Sequence, residues 1–417
     1  MIEATVMGIF AGLISGLVPA AGLLTALIMM LPLLTYLSAS ELLLFYMVLG
    51  TVTQYITAIP SILISIPGHP SSMHTVIESS KLLPEQKKQV LGTASLHSFF
   101  AVMGTFLILV LASSAIDQHI SVLFRSEIIF LLLLLTLALT TAFSKNNMIV
   151  STVLLGVGIA LSFVGYNFFF DTDFTFGLTF IAAGLDPVIV VLLFLCFPEL
   201  FKKFHPPSLD QARPVPTRSN SNDLANSSTA ASVGFLGGLV PGLTTIASSS
   251  FYYYLGRLFK LQPRQLVVGT ETANAVGSIS QVLPVLYFGI PILASEALLL
   301  ALMQSRGFSI SLFDLSAFFS SSVGYFILAN LVALAVCLFA AKTKFVLNLS
   351  LLNKIATVLL IVSLVFYVLF NGNVDIKLMQ LLMLLPFALL FGKLDTTPVV
   401  VGFLISPMFF ESASRIF

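Results

Sequence analysis

The sequence predicts an all-α polytopic membrane protein made of two inverted repeats, each of about five crossings plus a re-entrant or broken helix. Three observations predict it. Apolar side chains make up 58% of the 417 residues and charged ones 9%, with a mean hydropathy of +1.05. That is far from soluble globular composition, and the apolar runs pass the roughly 20 residues that cross a bilayer. The stretch GLISGLVPA at 12–20 returns as GFLGGLVPG at 234–242, and the spacing of Pro60 and Pro67 returns as Pro284 and Pro291. The offsets, 222 and 224 residues, mark a duplication. Between the copies the composition shifts to Pro, Ser, Asn and charge over 202–228, which reads as a solvated linker. The units are therefore a membrane repeat at 1–201, a cytoplasmic polar linker at 202–228 and a second membrane repeat at 229–417.

In chain order the first half offers apolar runs near 4–36, 41–80, 90–116, 126–143, 147–170 and 179–201. The second half offers 229–256, 266–303, 311–341, 355–370, 376–391 and 394–410. The N-terminal MIEATVMGIF has no basic region of the kind signal peptides carry, so the first run is expected to stay. The second run contains IPSILISIPGHPSS, where Pro60, Pro67 and Pro70 each remove a backbone N–H and are expected to break the helix. Backbone left unpaired at membrane depth must line a cavity or be buried in protein.

Lysine and arginine set the orientation, since loops rich in them stay in the cytoplasm. If the first run of each half makes no net crossing, the repeats are inverted and 15 of the 19 cationic residues fall inside with the linker. If every run crosses, the repeats are parallel and the inside holds 11. The stronger bias favours inverted repeats with both termini outside.

Inverted repeats with interrupted helices are the architecture of secondary transporters, in which half-helix N-termini face an anion. The breaks therefore supply the expected substrate-binding residues: Pro19, Ala20 and Gly22; Pro67, Gly68, His69, Ser71 and Ser72; Pro241, Gly242, Thr244 and Thr245; and Pro291. Gly16, Gly22, Gly68, Gly242 and Gly289 would allow close backbone approach, and the hydroxyls would bind carboxylate. The competing reading of the G-x-x-x-G at Gly12 and Gly16 is plain helix packing. Glu271, Asn274, Ser278 and Gln281 lie at spacings of three and four and can share one helix face, and Gln54 leads into the first proline pair. An ionisable residue inside a membrane usually faces a cavity. Glu271, Asn274, Ser278 and Gln54 are thus the expected coupling-cation set, unless Glu271 is a water-boundary residue after the Arg257–Arg264 loop.

His69 and His74 are five residues apart, which puts them on different helix faces with no third ligand, so no metal site is read here. Cys196 and Cys337 read as small packing residues, and Asp171, Asp173 and Asp186 as solvated boundary residues. There is no nucleophile with its base, no phosphate loop and no nucleic-acid stripe, so an enzyme is not expected. No cofactor is expected either, only a coupling ion, Na+ or H+.

Several segments resemble the large membrane subunit of tripartite tricarboxylate transporters, the TctA-like family. GLISGLVPAAG at 12–22 is similar to its G-x-x-x-G-x-x-P-G-x-G opening, and SIPGHPSS at 65–72 to its N-I-P-G-T-P segment. GLVPGLTT, ETANAVGS and GIP then resemble P-G-x-G-P-T, E-A-A-N-N-A and G-I-P-G-S in the same order. Ala20, Ala275, Ile292 and Leu293 depart from that pattern. The resemblance implies an inner-membrane permease for organic carboxylates such as tricarboxylates, coupled to Na+ or H+. It also implies a small membrane subunit and a periplasmic substrate-binding protein as partners. The alternative is a membrane binding or assembly subunit that does not transport.

Overall fold

The computed structural model describes residues 1–18, 22–66, 69–123, 126–144, 146–167, 172–191, 193–194, 223–239, 245–289, 291, 293–308, 314–343, 358, 361–362, 365–369, 373–391 and 394–416. The first half contains α1 (Ile2–Leu17), α2 (Leu23–Met29), α3 (Leu31–Leu34), α4 (Ala39–Leu63), a 3-10 turn (Pro70–Ser72), α5 (Met73–Ser79), α6 (Pro84–Leu123), α7 (Ser126–Phe143), α8 (Met148–Ser162) and α9 (Pro187–Val191). The second contains α10 (Asp223–Leu239), α11 (Thr245–Leu258), α12 (Pro263–Ser280), α13 (Val282–Phe288), α14 (Ala294–Gln304), α15 (Leu315–Lys342), α16 (Val374–Phe391) and α17 (Thr397–Ser414). Among the described residues five helices are long and apolar enough to cross a membrane: α4, α6 over Pro84–Ala115, α15, α16 and α17. The protein is a multi-pass membrane protein.

Local sequence explains the helix starts. Ser38 and Glu41 form a reciprocal capping box at α4. Asn147 Oδ1 accepts the Val150 amide at α8 and Asp314 Oδ1 the Ala317 amide at α15, both at 2.8 Å. Pro263 opens α12 at a position whose N–H needs no partner.

Glycine seams hold the paired helices together. A Cβ on Gly8, Gly12 or Gly16 of α1 would stand 2.8, 2.7 or 2.5 Å from Val48, Val52 or Ile56 of α4. Gly234 and Gly238 of α10 lie in the same way against Ala273 and Gly277 of α12. The packing reading of the G-x-x-x-G motif therefore holds for Gly12 and Gly16. Gly22 differs, because a Cβ there meets nothing within 4 Å among the described residues. Gly16→Ala is expected to cost about 1–3 kcal/mol by overpacking, whereas Gly22→Ala, at the N-cap of α2, should cost no more than about 1 kcal/mol. Thermal unfolding of the two purified variants compares them, and equal losses would contradict the seam.

The two halves pack through matching partners. α1 lies on α4 as α10 lies on α12; α6 lies on α12 as α15 lies on α4; α5 touches α11 as α14 touches α2. The matching helices run antiparallel to each other. Gly50 approaches Ser278 while Gln54 meets Asn274. Gly92 approaches Leu338 while the ring of Phe106 meets Phe319 and Phe326. Outside this core α8 and α17 interlock through Gly158 and Gly402, with Asn146 and Asp395 exchanging hydrogen bonds of 2.8 and 3.0 Å at their ends.

Several expectations are corrected. Pro60 does not break its helix: α4 runs through it to Leu63. The Pro60 carbonyl accepts both Ile64 N and Ile66 N, at 3.2 and 3.1 Å, so the chain leaves the helix only afterwards. The apolar run 147–170 is not all helix. An antiparallel hairpin pairs Gly165–Asn167 with Thr172–Phe174, because Gly165 at φ 106 stops the helix and the aromatic and Thr residues that follow favour a pleated strand. Asp186 is not simply solvated: it caps α9 through Val188 N at 2.8 Å and pairs with Lys377 at 3.6 Å. The last six residues of the expected linker, 223–228, belong to α10, while 202–222 lie outside the described residues, as do Cys196 and Asp171. Cys337 is buried and its thiol meets the Tyr55 carbonyl at 3.2 Å, as a packing cysteine should.

Candidate functional site

The first-half break follows α4. Ser65 takes the left-handed conformation at φ 54, which costs a non-glycine residue about 1–2 kcal/mol, and its hydroxyl accepts from Lys87 Nζ at 2.9 Å. At His69, Nδ1 lies 2.7 Å from Ser71 Oγ and the carbonyl accepts Ser72 N at 2.9 Å. Ser71 and Ser72 are buried. Pro67 and Gly68 lie outside the described residues, as do Pro19, Ala20, Pro241, Gly242 and Thr244.

The second half supplies α12, whose residues from Gln265 to Ser280 are all buried although it carries Thr270, Glu271, Thr272, Asn274, Ser278 and Ser280. A helix buried on every side sits inside protein rather than against lipid. Thr270, Thr272 and Ser278 turn their hydroxyls to carbonyls of their own helix at 2.7–2.8 Å. Glu271 and Asn274 instead reach the first half. Thr75 Oγ1 donates to Glu271 Oε1 at 2.5 Å and lies 3.0 Å from Thr270 Oγ1. Asn274 Nδ2 donates to Gln54 Oε1 at 2.6 Å. With Glu271 only 3% exposed, the water-boundary reading of this residue is excluded.

Those bonds leave polar capacity unused. Asn274 Oδ1, Gln54 Nε2, Thr53 Oγ1, Ser72 Oγ and both amide atoms of Gln281 are buried without a hydrogen-bond partner among the described residues. Burying an unsatisfied polar group costs about 1–3 kcal/mol, so these atoms are candidates for contact with a polar ligand. The arrangement offers oxygen and amide groups beside a carboxylate, a set suited to a small cation and to an anion close by.

The break itself is clasped by α11. Ser249 Oγ donates to the Ser71 carbonyl at 3.0 Å, and His74 Nε2 lies 2.9 Å from Ser250 Oγ. The His74 ring stacks on Tyr253 at 4.2 Å. Thr245, the first residue of α11, is buried, and a Cβ on Gly277 would touch it at 3.4 Å. The structure thus brings Gln54, Ser71, Ser72, Thr245, Glu271 and Asn274 to adjoining elements. Ser278 lies on the same helix, with its hydroxyl spent on Ala275. Gly22 and Pro291 border a different junction, where α2 meets α14 and Tyr46 OH lies 2.8 Å from Ser295 Oγ.

The family model for the tripartite tricarboxylate transporter TctA family matches residues 2–401. The chain belongs to the TctA family. This TctA-family chain is also similar to a protein of Agrobacterium vitis described as an uncharacterized 52.8 kDa protein in the TAR-I ttuC' 3'region, at 22% identity over 301 residues. That alignment covers 68% of the chain and 60% of the relative, so the chain spans less than two thirds of the length of the curated relative it matches. No solved structure matches.

In this family member sequence reasoning passed over Thr75 and Glu78. Thr75 carries no local signal, because its partners are 195 and 196 residues away. Glu78 is fully buried and its Oε1 meets Lys81 Nζ at 2.7 Å, Tyr253 OH at 3.0 Å and Arg257 at 3.8 Å. The i,i+3 spacing to Lys81 was the visible signal for Glu78. Its contacts with Tyr253 and Arg257 bind α5 to α11 beside the break.

Proposed function

We propose that the protein is a secondary active transporter of the inner membrane that imports organic carboxylate anions such as tricarboxylates, coupled to Na+ or H+. The observation that carries this reading is the Gln54–Asn274 pair: a buried hydrogen bond of 2.6 Å between the two halves that leaves one oxygen and one amide nitrogen without a partner among the described residues. The halves act as inverted repeats. Support comes from the exchange of packing partners and from the antiparallel course of matching helices, since an axis along the membrane normal would leave them parallel. Half-helix N-termini at Gly68–Ser72 and Gly242–Thr245 face the substrate carboxylates, with Pro19, Ala20, Gly22, Pro67, His69, Pro241, Thr244 and Pro291 shaping the breaks. Glu271, Asn274, Gln54 and Ser278 take the coupling cation. A small membrane subunit and a periplasmic substrate-binding protein are the partners this reading assigns.

Coupling requires that cation and anion strengthen each other's binding by the same factor. Calorimetric titration of the purified chain with di- and tricarboxylates, in Na+ against choline and at two pH values, is expected to show affinity for at least one acid rising with Na+ or H+. Carboxylate binding indifferent to both ions would contradict coupling at this site.

A further inference from the structure

We infer that the protein holds one anionic phospholipid in a groove along the outer face of α6, with its phosphate among Lys88, Arg264 and Lys342. Two cavities, of about 680 and 490 Å³, share Thr93 and Leu96 and so adjoin along α6. One end is cationic: Lys88 at the start of α6, Arg264 at the start of α12 and Lys342 at the end of α15 line it. Among the described residues that line this end, the three cations stand against one acid, Glu85, which is 84% exposed and 3.9 Å from Lys88.

The other end is apolar. It runs one to two turns further along α6 past Leu96, Phe100 and Ala101 and is walled by Ala231 of α10. Leu96 and Phe100 are 39% and 69% exposed, on a helix long and apolar enough to cross a membrane. His97 and Ser227, 2.6 Å apart, close the floor between α6 and α10.

Charge at the helix ends with an apolar slot leading inward matches a phosphodiester headgroup and an acyl chain in that order. A free carboxylate or phosphate would use only the cationic end. Basic residues near a membrane surface attract anionic lipid by about 1 kcal/mol each. The groove touches α6, α10, α12 and α15, the helices through which the halves pack, so a lipid seated there braces the contact between them.

The chain contains no tryptophan, so one introduced residue reports on the slot without background. In the full-length Phe100→Trp variant reconstituted into nanodiscs, phosphatidylglycerol with brominated tails is expected to reach half-quenching at a mole fraction at least about tenfold below that of brominated phosphatidylcholine. Adding Lys88→Gln, Arg264→Gln and Lys342→Gln should bring the two lipids level. If that triple variant does not fold, Lys342→Gln alone should reduce the preference about threefold. Phe10→Trp, exposed on α1 away from the groove, should show no preference. Equal quenching at Phe100→Trp, the same preference at Phe10→Trp, a preference that survives the charge removals, or its loss to millimolar inorganic phosphate would each overturn the assignment.

Discussion

Glu271→Gln is expected to abolish cation-coupled uptake while leaving the protein folded. The side chain is almost fully buried, and Thr75 donates to it at 2.5 Å. An amide oxygen accepts the same hydroxyl, and removing a buried charge is often neutral or stabilising, so unfolding should shift by no more than about 1–2 kcal/mol. The functional loss is larger. A charge-assisted contact is worth about 1.5–3 kcal/mol, which corresponds to roughly a 10–150-fold drop in apparent cation affinity. The variant also separates the two ions. If a proton is carried, Gln fixes the uncharged state, so exchange of external for internal substrate persists while net uptake stops. If Na+ is carried, exchange and net uptake fall together. Unchanged uptake with unchanged ion dependence would reduce Glu271 to a structural partner of Thr75.

The second large effect concerns Gln54 and Asn274. Asn274→Leu strands the Gln54 oxygen in a buried position, and Gln54→Leu strands the Asn274 amide, since the two are bonded at 2.6 Å and each is 1% exposed. Each single change should cost about 1–3 kcal/mol of stability. Replacing both removes the two polar groups together, so the double variant is expected to be more stable than either single one. Transport follows the opposite rule. All three variants should lose at least about tenfold in uptake if the Asn274 oxygen and Gln54 nitrogen, unpaired among the described residues, serve the ion and substrate as proposed. Recovery of uptake in the stable double variant would show that the pair only holds the halves together.

Much of the frame was legible in the sequence because the duplicated glycine and proline patterns are local. The seam from Gly12 and Gly16 to Val52 and Ile56, and its counterpart from Gly234 and Gly238, follow from small residues repeating on one helix face. The polar face of Glu271 and Asn274 was visible for the same reason. What they touch was not, since Thr75 and Gln54 lie 196 and 220 residues away and meet them only through the packing of one half on the other. Proline chemistry misled at Pro60, where the helix absorbs the missing N–H and the chain departs only after Ile64. The pairing of 165–167 with 172–174 was hidden because hydropathy does not distinguish aromatic strand from apolar helix.

The central claim is coupled carboxylate transport, and uptake tests it most directly. Proteoliposomes holding this chain alone would be given labelled di- and tricarboxylates under an inward Na+ or proton gradient, and then again with binding protein and small subunit added. The account predicts accumulation of at least one acid, abolished by collapsing the gradient and by Glu271→Gln. Gradient-independent behaviour, or no uptake with every partner present, would contradict it and leave a membrane assembly subunit in its place.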